Sequence, residues 1–199
     1  MIDKLEDVIA RLEESKKATT LAVVGPMAAG KNYICSQLEQ QGWACLDADL
    51  LVHDAIEIAK DRILDTFTPY AEKKKIKLAR LDGSIDRRAL GKLLFSIPEL
   101  LTIQESIVYP IITKQIQDFI SIHEKSVINA TVLFKTPELL ALCQKVIFVS
   151  APVLKRLGRA HKRDHLSYSN IIRRFYSQRY LLQEYQQTVL PENLIIVKN

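Results

Sequence analysis

The stretch TTLAVVGPMAAGKN, residues 19–32, decides the fold of this chain. Its first six residues are apolar or β-branched and end at a glycine, which predicts a buried strand. The next seven, residues 25–31, match the phosphate-loop pattern G-x-x-x-x-G-K. Gly25 and Gly30 permit positive φ, and the loop N–H groups then form an anion-binding concavity at the start of a helix. The pattern predicts these nucleotide-binding residues: Gly25, Pro26, Met27, Ala28, Ala29, Gly30, Lys31, Asn32 and Tyr33.

Two positions of this loop carry its chemistry. Lys31 is predicted to reach the β- and γ-phosphates as a point charge. Asn32 stands where the motif has Ser or Thr, whose hydroxyl ligates Mg²⁺. An amide oxygen is also a hard ligand, so Asn32 is a candidate metal ligand. The alternative is that Asn32 caps the helix while waters complete the metal shell.

Strands and helices alternate outward from the loop. Such alternation predicts an α/β fold in which a mostly parallel five-stranded sheet is flanked by helices. The strands are predicted at 19–24, 43–46, 126–134, 146–149 and 194–197, and helices at 2–16, 30–41, 50–67, 86–95, 98–122, 137–142, 152–163 and 169–187.

The chain is expected to form a single P-loop kinase domain over residues 1–199. The helical stretch 50–122 is too long for one crossover, so it predicts an inserted lobe at the sheet edge where ligands bind in α/β folds. The basic segment 152–168 predicts a lid over the phosphates, because phosphoryl transfer needs cations and exclusion of water.

Two carboxylates end the second predicted strand, at Asp47 and Asp49. One could accept the proton of an acceptor hydroxyl, and the other could hold metal-bound water. The alternative for Asp49 is a helix N-cap, since it directly precedes an apolar periodic segment.

The composition favours a cytoplasmic protein with anionic ligands. The 199 residues carry a net charge of +5, which suits nucleotides. The three cysteines, Cys35, Cys45 and Cys143, lack metal-ligand spacing and are expected to be reduced core residues. No apolar run is long enough for a membrane span, and the N-terminus lacks the apolar region of a signal peptide. Nucleic-acid binding ranks last because no recognition motif is present.

The loop and Asp47-Ala48-Asp49 together resemble the dephospho-CoA kinase family, in which a P-loop is followed by Asp-Ala-Asp. The resemblance runs from about residue 19 to residue 199. Further matching segments are GSIDRRAL at 83–90, Lys155-Arg156 and Arg163-Asp164 of the lid, Gln178, and Ile195, Ile196 and Asn199 near the C-terminus.

The resemblance implies ATP-dependent phosphorylation of the ribose 3′-hydroxyl of dephospho-CoA to give CoA, the last step of coenzyme A biosynthesis, with Mg²⁺ and ATP. It implies Lys31, Asp49 and Arg163 as catalytic residues, with Asp49 as the base. Asp47 becomes a supporting carboxylate and, with Asn32, the expected Mg²⁺ site. The expected acceptor-binding residues are Asp47, Asp49, Arg87, Arg88 and Tyr109.

The chain also departs from the family pattern. Pro26 and Ala28 replace loop glycines, Tyr109 replaces a histidine, and Thr131 and Lys135 replace the proline and glutamate of a "PLLFE" strand. Two alternatives follow: another small-molecule or nucleotide kinase, or a degenerate P-loop protein that binds nucleotide without this turnover.

Overall fold

The structure, a computed structural model, describes residues 2–3, 7, 19–164 and 167–199. Within them one sheet runs in the order β1-β6-β5-β2-β4-β3, and every neighbouring pair is parallel. Its strands are β1 (Ile2–Asp3), β2 (Thr19–Val24), β3 (Ala44–Asp47), β4 (Lys125–Ala130), β5 (Lys145–Ser150) and β6 (Leu194–Lys198).

Strand β2 lies at the centre of this sheet, between β4 and β5, and all six of its residues are buried. A strand covered on both faces is expected to be apolar and β-branched throughout, as this one is. In the register, Val23 lies beside Asn129, and Asp47 of β3 lies beside Asn129 on the other side. The carboxyl ends of β2, β3 and β4 therefore meet at one edge.

From β2 onward, helices connect the strands, as parallel pairing requires. They are α1 (Lys31–Glu39), α2 (Ala48–Ile58), α3 (Lys60–Lys73), α4 (Arg87–Ser96), α5 (Pro98–Ser121), α6 (Pro137–Leu140), α7 (Val153–Asp164), α8 (Tyr168–Ser177) and α9 (Leu181–Thr188). Short 3₁₀ turns occur at Leu133–Lys135 and Pro191–Asn193. No helix in the described part of the chain is long and apolar enough to cross a bilayer.

Two compact units divide the chain. The sheet unit comprises Met1–Ala48 and Ile116–Asn199, and the helical unit comprises Asp49–Gln115. In the sheet unit, Leu21, Ile34, Leu38 and Val127 are fully or almost fully buried in one cluster. The helical unit has its own buried residues, including Ile63, Phe67, Leu90, Leu93 and Leu100. Burial of each such side chain stabilises its unit by about 1.5–3 kcal/mol.

The predicted fold class is confirmed, and all five predicted strands are present. The sheet has a sixth strand that was not predicted, Ile2–Asp3. The strand predicted at 126–134 was too long. It ends at Ala130, because the Leu133 N–H donates to the Tyr185 hydroxyl instead of to a neighbouring strand. The helices predicted at 50–67 and 169–187 are each two helices in the structure.

The predicted N-terminal helix was wrong at its start, because Ile2–Asp3 pair with β6 as a strand. Position 7 is helical, and the rest of the 2–16 prediction lies outside the described residues. In the predicted lid, 152–168, helix α7 begins at Val153, and residues 165 and 166 lie outside the described part.

Candidate active site

The loop between β2 and α1 has the backbone that its sequence predicts. Gly25 has φ 145° and Gly30 has φ 104°, both disfavoured for side-chain-bearing residues. A Cβ added at Gly25 would collide with the carbonyl oxygen of Val149 in β5. Ala28 also has positive φ, 60°, where the family has glycine. The loop therefore approaches β5 too closely for any residue but glycine at position 25.

Lys31 begins helix α1, directly behind the loop. Its Nζ donates to the Gly25 carbonyl oxygen at 3.1 Å and to the Thr131 Oγ1 at 3.2 Å. The ammonium thus lies across the loop mouth, tied to the residue that follows β4. An ammonium has three donors, so this arrangement places a point charge beside the anion-binding concavity.

Side chains from distant elements fix the backbone of the loop. The Met27 N–H donates to the Gln178 Oε1 at 2.8 Å, and the Arg156 Nε donates to the Met27 carbonyl at 2.9 Å. Arg156 is nine-tenths buried, with its guanidinium carbon 4.1 Å from the Phe175 ring centroid, and burial lowers its pKa. The Asn199 Nδ2 donates to the Ala29 carbonyl at 3.1 Å. The loop is therefore held from both sides by α7, by the residue that follows α8, and by the residue that follows β6.

A cavity of about 490 Å³ opens on this loop. Its lining consists of Ala28, Ala29, Gly30, Lys31, Asn32, Arg159, Lys162 and Arg163. Among the described residues that line it, four side chains are cationic and none is acidic, so this part of the cavity is complementary to a polyphosphate. Arg163, predicted as the lid arginine, lies here with Lys31, whereas the predicted Gly25, Pro26, Met27 and Tyr33 are not part of the lining.

A polar cluster lies at the carboxyl ends of β3 and β4. The Asn129 Nδ2 donates to the Asn32 Oδ1 at 2.9 Å and to the Asp47 Oδ2 at 3.4 Å. The Asn129 Oδ1 is buried and accepts no hydrogen bond from the described residues. The two predicted metal ligands, Asn32 and Asp47, are thus joined through a third residue. Oxygen donors of this kind fit Mg²⁺, which prefers carboxylate, amide and water oxygens.

The other predicted acceptor residues belong to the helical unit. Asp49 is exposed in the first turn of α2, which begins at Ala48, so the N-cap alternative for Asp49 is not supported. Arg87 and Arg88 are exposed in the first turn of α4, whose N-cap is Asp86.

Tyr109, the remaining predicted acceptor residue, is half-buried in α5. Burial, the charge of Glu105 and a hydrogen bond with Glu105 raise the pKa of Tyr109 above its usual range. The phenol therefore stays protonated at neutral pH and is available as a hydrogen-bond partner.

Sequence reasoning missed several residues that shape this site. Asn129 was included in an apolar strand, and the signal that could have found it is a single amide among buried apolar residues. Gln178 and Arg156 were matched to the family without a role. Within the described residues, no group of three or more His, Cys, Asp or Glu side chains could hold a metal.

The cysteines are free thiols, as predicted. Cys35 is buried, and a hydrogen bond with the Cys45 thiol, together with burial, raises its pKa. Burial raises the pKa of Cys143 to about 12. The raised pKa values of Cys35 and Cys143 keep these two thiols protonated at neutral pH, so neither is an activated nucleophile.

Known proteins resemble this chain along most of its length. The family model described as "CoaE: Dephospho-CoA kinase" matches residues 19–189. The dephospho-CoA kinase of Treponema pallidum is 34% identical over 164 residues, 80% of this chain and 77% of that protein. The dephospho-CoA kinase of Treponema denticola is 34% identical over 194 residues, 94% of this chain and 85% of that protein.

Solved structures agree on the fold. A crystal structure of a Thermus thermophilus protein superimposes with a TM-score of 0.73 at 24% identity, covering 92% of this chain and 90% of that one. At this identity the likeness shows the fold alone.

Proposed function

The chain belongs to the dephospho-CoA kinase family, and from that premise we propose that it transfers the γ-phosphoryl group of ATP to the ribose 3′-hydroxyl of dephospho-CoA, giving CoA and ADP. The observation that carries the proposal beyond family membership is the cavity on the phosphate loop, lined by Lys31, Arg159, Lys162 and Arg163. Phosphoryl transfer needs positioning and positive charge around the equatorial oxygens more than covalent chemistry. ATP and dephospho-CoA are the two substrates.

Lys31 is proposed to hold the β- and γ-phosphates of ATP. Its ammonium already donates to two oxygens at the loop mouth, and phosphate oxygens would compete for the same donors. Arg163 is proposed to stabilise the negative charge on the transferring phosphoryl group in the transition state, since it lines the same cavity. The loop N–H groups bind the remaining oxygens.

Asp49 is proposed as the base that accepts the proton of the 3′-hydroxyl. Its exposed carboxylate lies two residues after Asp47, in the first turn of α2. A base must be within hydrogen-bond reach of the proton that it abstracts, and an exposed carboxylate leaves room for a substrate hydroxyl. Arg87, Arg88 and Tyr109 are proposed to bind the acceptor.

Mg²⁺ is the proposed metal, and Asp47 is the residue that would hold it, directly or through water. The oxygen-rich cluster around Asp47 fits a hard cation, and the buried Asn129 Oδ1 leaves a further oxygen with unused lone pairs. Mg²⁺ held there would supply positive charge beside the phosphates of ATP. We also propose a cytoplasmic location and no nucleic-acid partner; the oligomeric state is left open.

The test is an acceptor panel with product identification. The protein is incubated with Mg·ATP and dephospho-CoA, AMP or shikimate, and products are separated by mass. We expect phosphorylation of dephospho-CoA alone. Phosphorylation of AMP or shikimate in its place would identify another small-molecule kinase, and ATP binding without any product would identify a degenerate P-loop protein.

Two matched variants test the base. Asp49→Asn is nearly isosteric but cannot accept the proton, so kcat is expected to fall about 10²-fold or more while the KM for ATP changes little. Asp47→Asn is expected to act through the metal, with a milder fall in kcat and a raised Mg²⁺ requirement. The opposite order of severity would exchange the two roles.

A further inference from the structure

Asn129 is the residue whose amide touches both predicted metal ligands. It lies on β4, is almost completely buried, and faces Asp47 in the sheet register. Its Nδ2 lies 2.9 Å from the Asn32 Oδ1 and 3.4 Å from the Asp47 Oδ2. These are the side-chain hydrogen bonds of Asn129 within the described residues, and its Oδ1 has no partner there.

The orientation of these groups follows from their chemistry. An ionised carboxylate only accepts hydrogen bonds, so the half of the Asn129 amide that faces Asp47 must be the NH₂. The reversed amide would set its oxygen against two acceptor oxygens, those of Asp47 and Asn32. The same NH₂ also donates to Asn32, so the side-chain group of Asn32 that accepts this hydrogen bond must be its carbonyl oxygen. Asp47 thus sets the orientation of the Asn129 amide, and Asn129 in turn sets the orientation of the Asn32 amide.

This order leaves one polar group of Asn32 for the cavity. Its Oδ1 is engaged by Asn129, whereas its NH₂ has no partner among the described residues. The side chain is exposed and lines the phosphate cavity beside Lys31. Position 32 therefore offers a hydrogen-bond donor at the place where the motif offers a hydroxyl to a metal.

We propose that Asn129 is a positioning residue that turns the NH₂ of Asn32 toward the nucleotide, so that Asn32 donates to a phosphate oxygen and is not a metal ligand. The proposal rests on the proposed function, because it requires nucleotide phosphates in the cavity. Asn32, expected from the motif to be a metal ligand, becomes a hydrogen-bond donor to phosphate. Asn129, through Asn32, then affects how strongly nucleotide binding depends on metal.

The wild-type protein gives the first test. The side-chain NH₂ signals of Asn32 are assigned in a ¹⁵N–¹H spectrum by their loss in Asn32→Asp, and ADP is added in EDTA. Donation to phosphate predicts a downfield shift of these signals without any metal. Unchanged signals in a spectrum where ADP shifts the loop amides would overturn the proposal.

Calorimetric titration of ADP, in EDTA and then in Mn²⁺, gives the second test. Asn129→Leu removes the NH₂ at similar size, so the affinity for ADP in EDTA is expected to weaken about five- to tenfold.

Ser126→Ala is the matched control, because Ser126 lies on β4 like Asn129. The change removes a buried hydrogen bond to Thr20 of β2 without touching the cluster. It is expected to lower Tm and to leave both ADP affinities at wild-type values. Wild-type affinity for ADP in Asn129→Leu, or an equal loss of affinity in Ser126→Ala, would each contradict the proposal. If ADP fails to bind the wild-type protein under both conditions, the proposed function itself fails.

Discussion

Two loops of this molecule differ in which residues hold their backbone: distant residues hold one loop, and the residues of the loop itself hold the other. The phosphate loop, Gly25–Gly30, is held by Gln178, Arg156 and Asn199, which lie 151, 129 and 170 residues away from the loop residues they contact. The turn at 79–86 in the helical unit is held by its own residues. A single antiparallel bridge joins Ala79 to Ile85, and the Arg80 N–H donates to the Ser84 carbonyl at 2.8 Å.

The turn at 79–86 also supplies its own side-chain acceptors. Asp82 accepts from the Ser84 N–H at 2.9 Å and from the Ser84 hydroxyl at 2.6 Å. Asp86 accepts from the Arg88 and Ala89 N–H groups at 3.0 Å and so caps α4. Such local bonds form whenever the segment folds, whereas the phosphate loop is ordered only when the whole sheet unit has assembled. Changes far along the chain should therefore reach the phosphate loop but not the turn.

Lys31→Ala should give the largest effect, because it removes the charge at the loop mouth. We expect kcat to fall about 10³-fold or more with the fold intact, since charge-assisted donors matter most as charge moves in the transition state. Steady-state kinetics and circular dichroism check this. Lys125→Ala, at the start of β4, is the control. Near-normal turnover in Lys31→Ala would show that this loop is not the catalytic one.

Gly25→Ala should damage the sheet unit next most severely. The new Cβ meets the Val149 carbonyl, and the backbone has φ 145°. We expect a loss of about 3 kcal/mol or more in the free energy of unfolding. Gly158→Ala, in α7 with open space around it, should instead gain about 0.5–1 kcal/mol. Urea titration measures both, and equal stabilities would refute the close approach of the loop to β5.

Gln178→Ala tests whether the hydrogen bond from the Met27 N–H to the Gln178 side chain supports nucleotide binding by the phosphate loop. It leaves the Met27 N–H without its acceptor, so we expect the KM for ATP to rise about three- to tenfold. The KM for dephospho-CoA should stay the same. Gln187→Ala, an exposed change in α9, is the control. If Gln178→Ala and Gln187→Ala have the same KM for ATP, the loop does not depend on this residue.

Asp82→Ala should have the smallest effect, confined to the turn. Hydrogen bonds from Ser84 lower the pKa of Asp82, so its contribution is present above the ordinary Asp pKa of about 4 and is lost as pH falls through the lowered value. We expect a small fall in Tm at neutral pH that disappears in acid, with kinetics for ATP unchanged. A raised KM for ATP in Asp82→Ala would contradict the distinction between the turn, which its own residues hold, and the phosphate loop, which distant residues hold.

The same distinction explains what the sequence could predict. The Asp82-Gly83 turn and the glycines of the phosphate loop were predictable, because a local pattern carries each of them. The contacts of Gln178 and Arg156 with Met27 were not, since no spacing reports which distant side chain meets a loop. Asn129 was missed because a strand pattern predicts which residues are buried and not which residues they contact. The contact of its amide with Asp47 depends on the sheet register, which places the two residues side by side. The strand predicted through residue 134 failed because the Tyr185 hydroxyl takes the Leu133 N–H.

One measurement tests the central claim most directly. The protein is mixed with Mg·ATP and dephospho-CoA, and the reaction is followed by ³¹P NMR. Phosphoryl transfer to the ribose predicts a 3′-phosphomonoester signal that grows in equal amount with ADP, from a product with the mass and retention time of CoA. Both signals should stay absent with Lys31→Ala. Unchanged ATP, or ADP that accumulates without a phosphomonoester, would contradict the claim that this site phosphorylates dephospho-CoA.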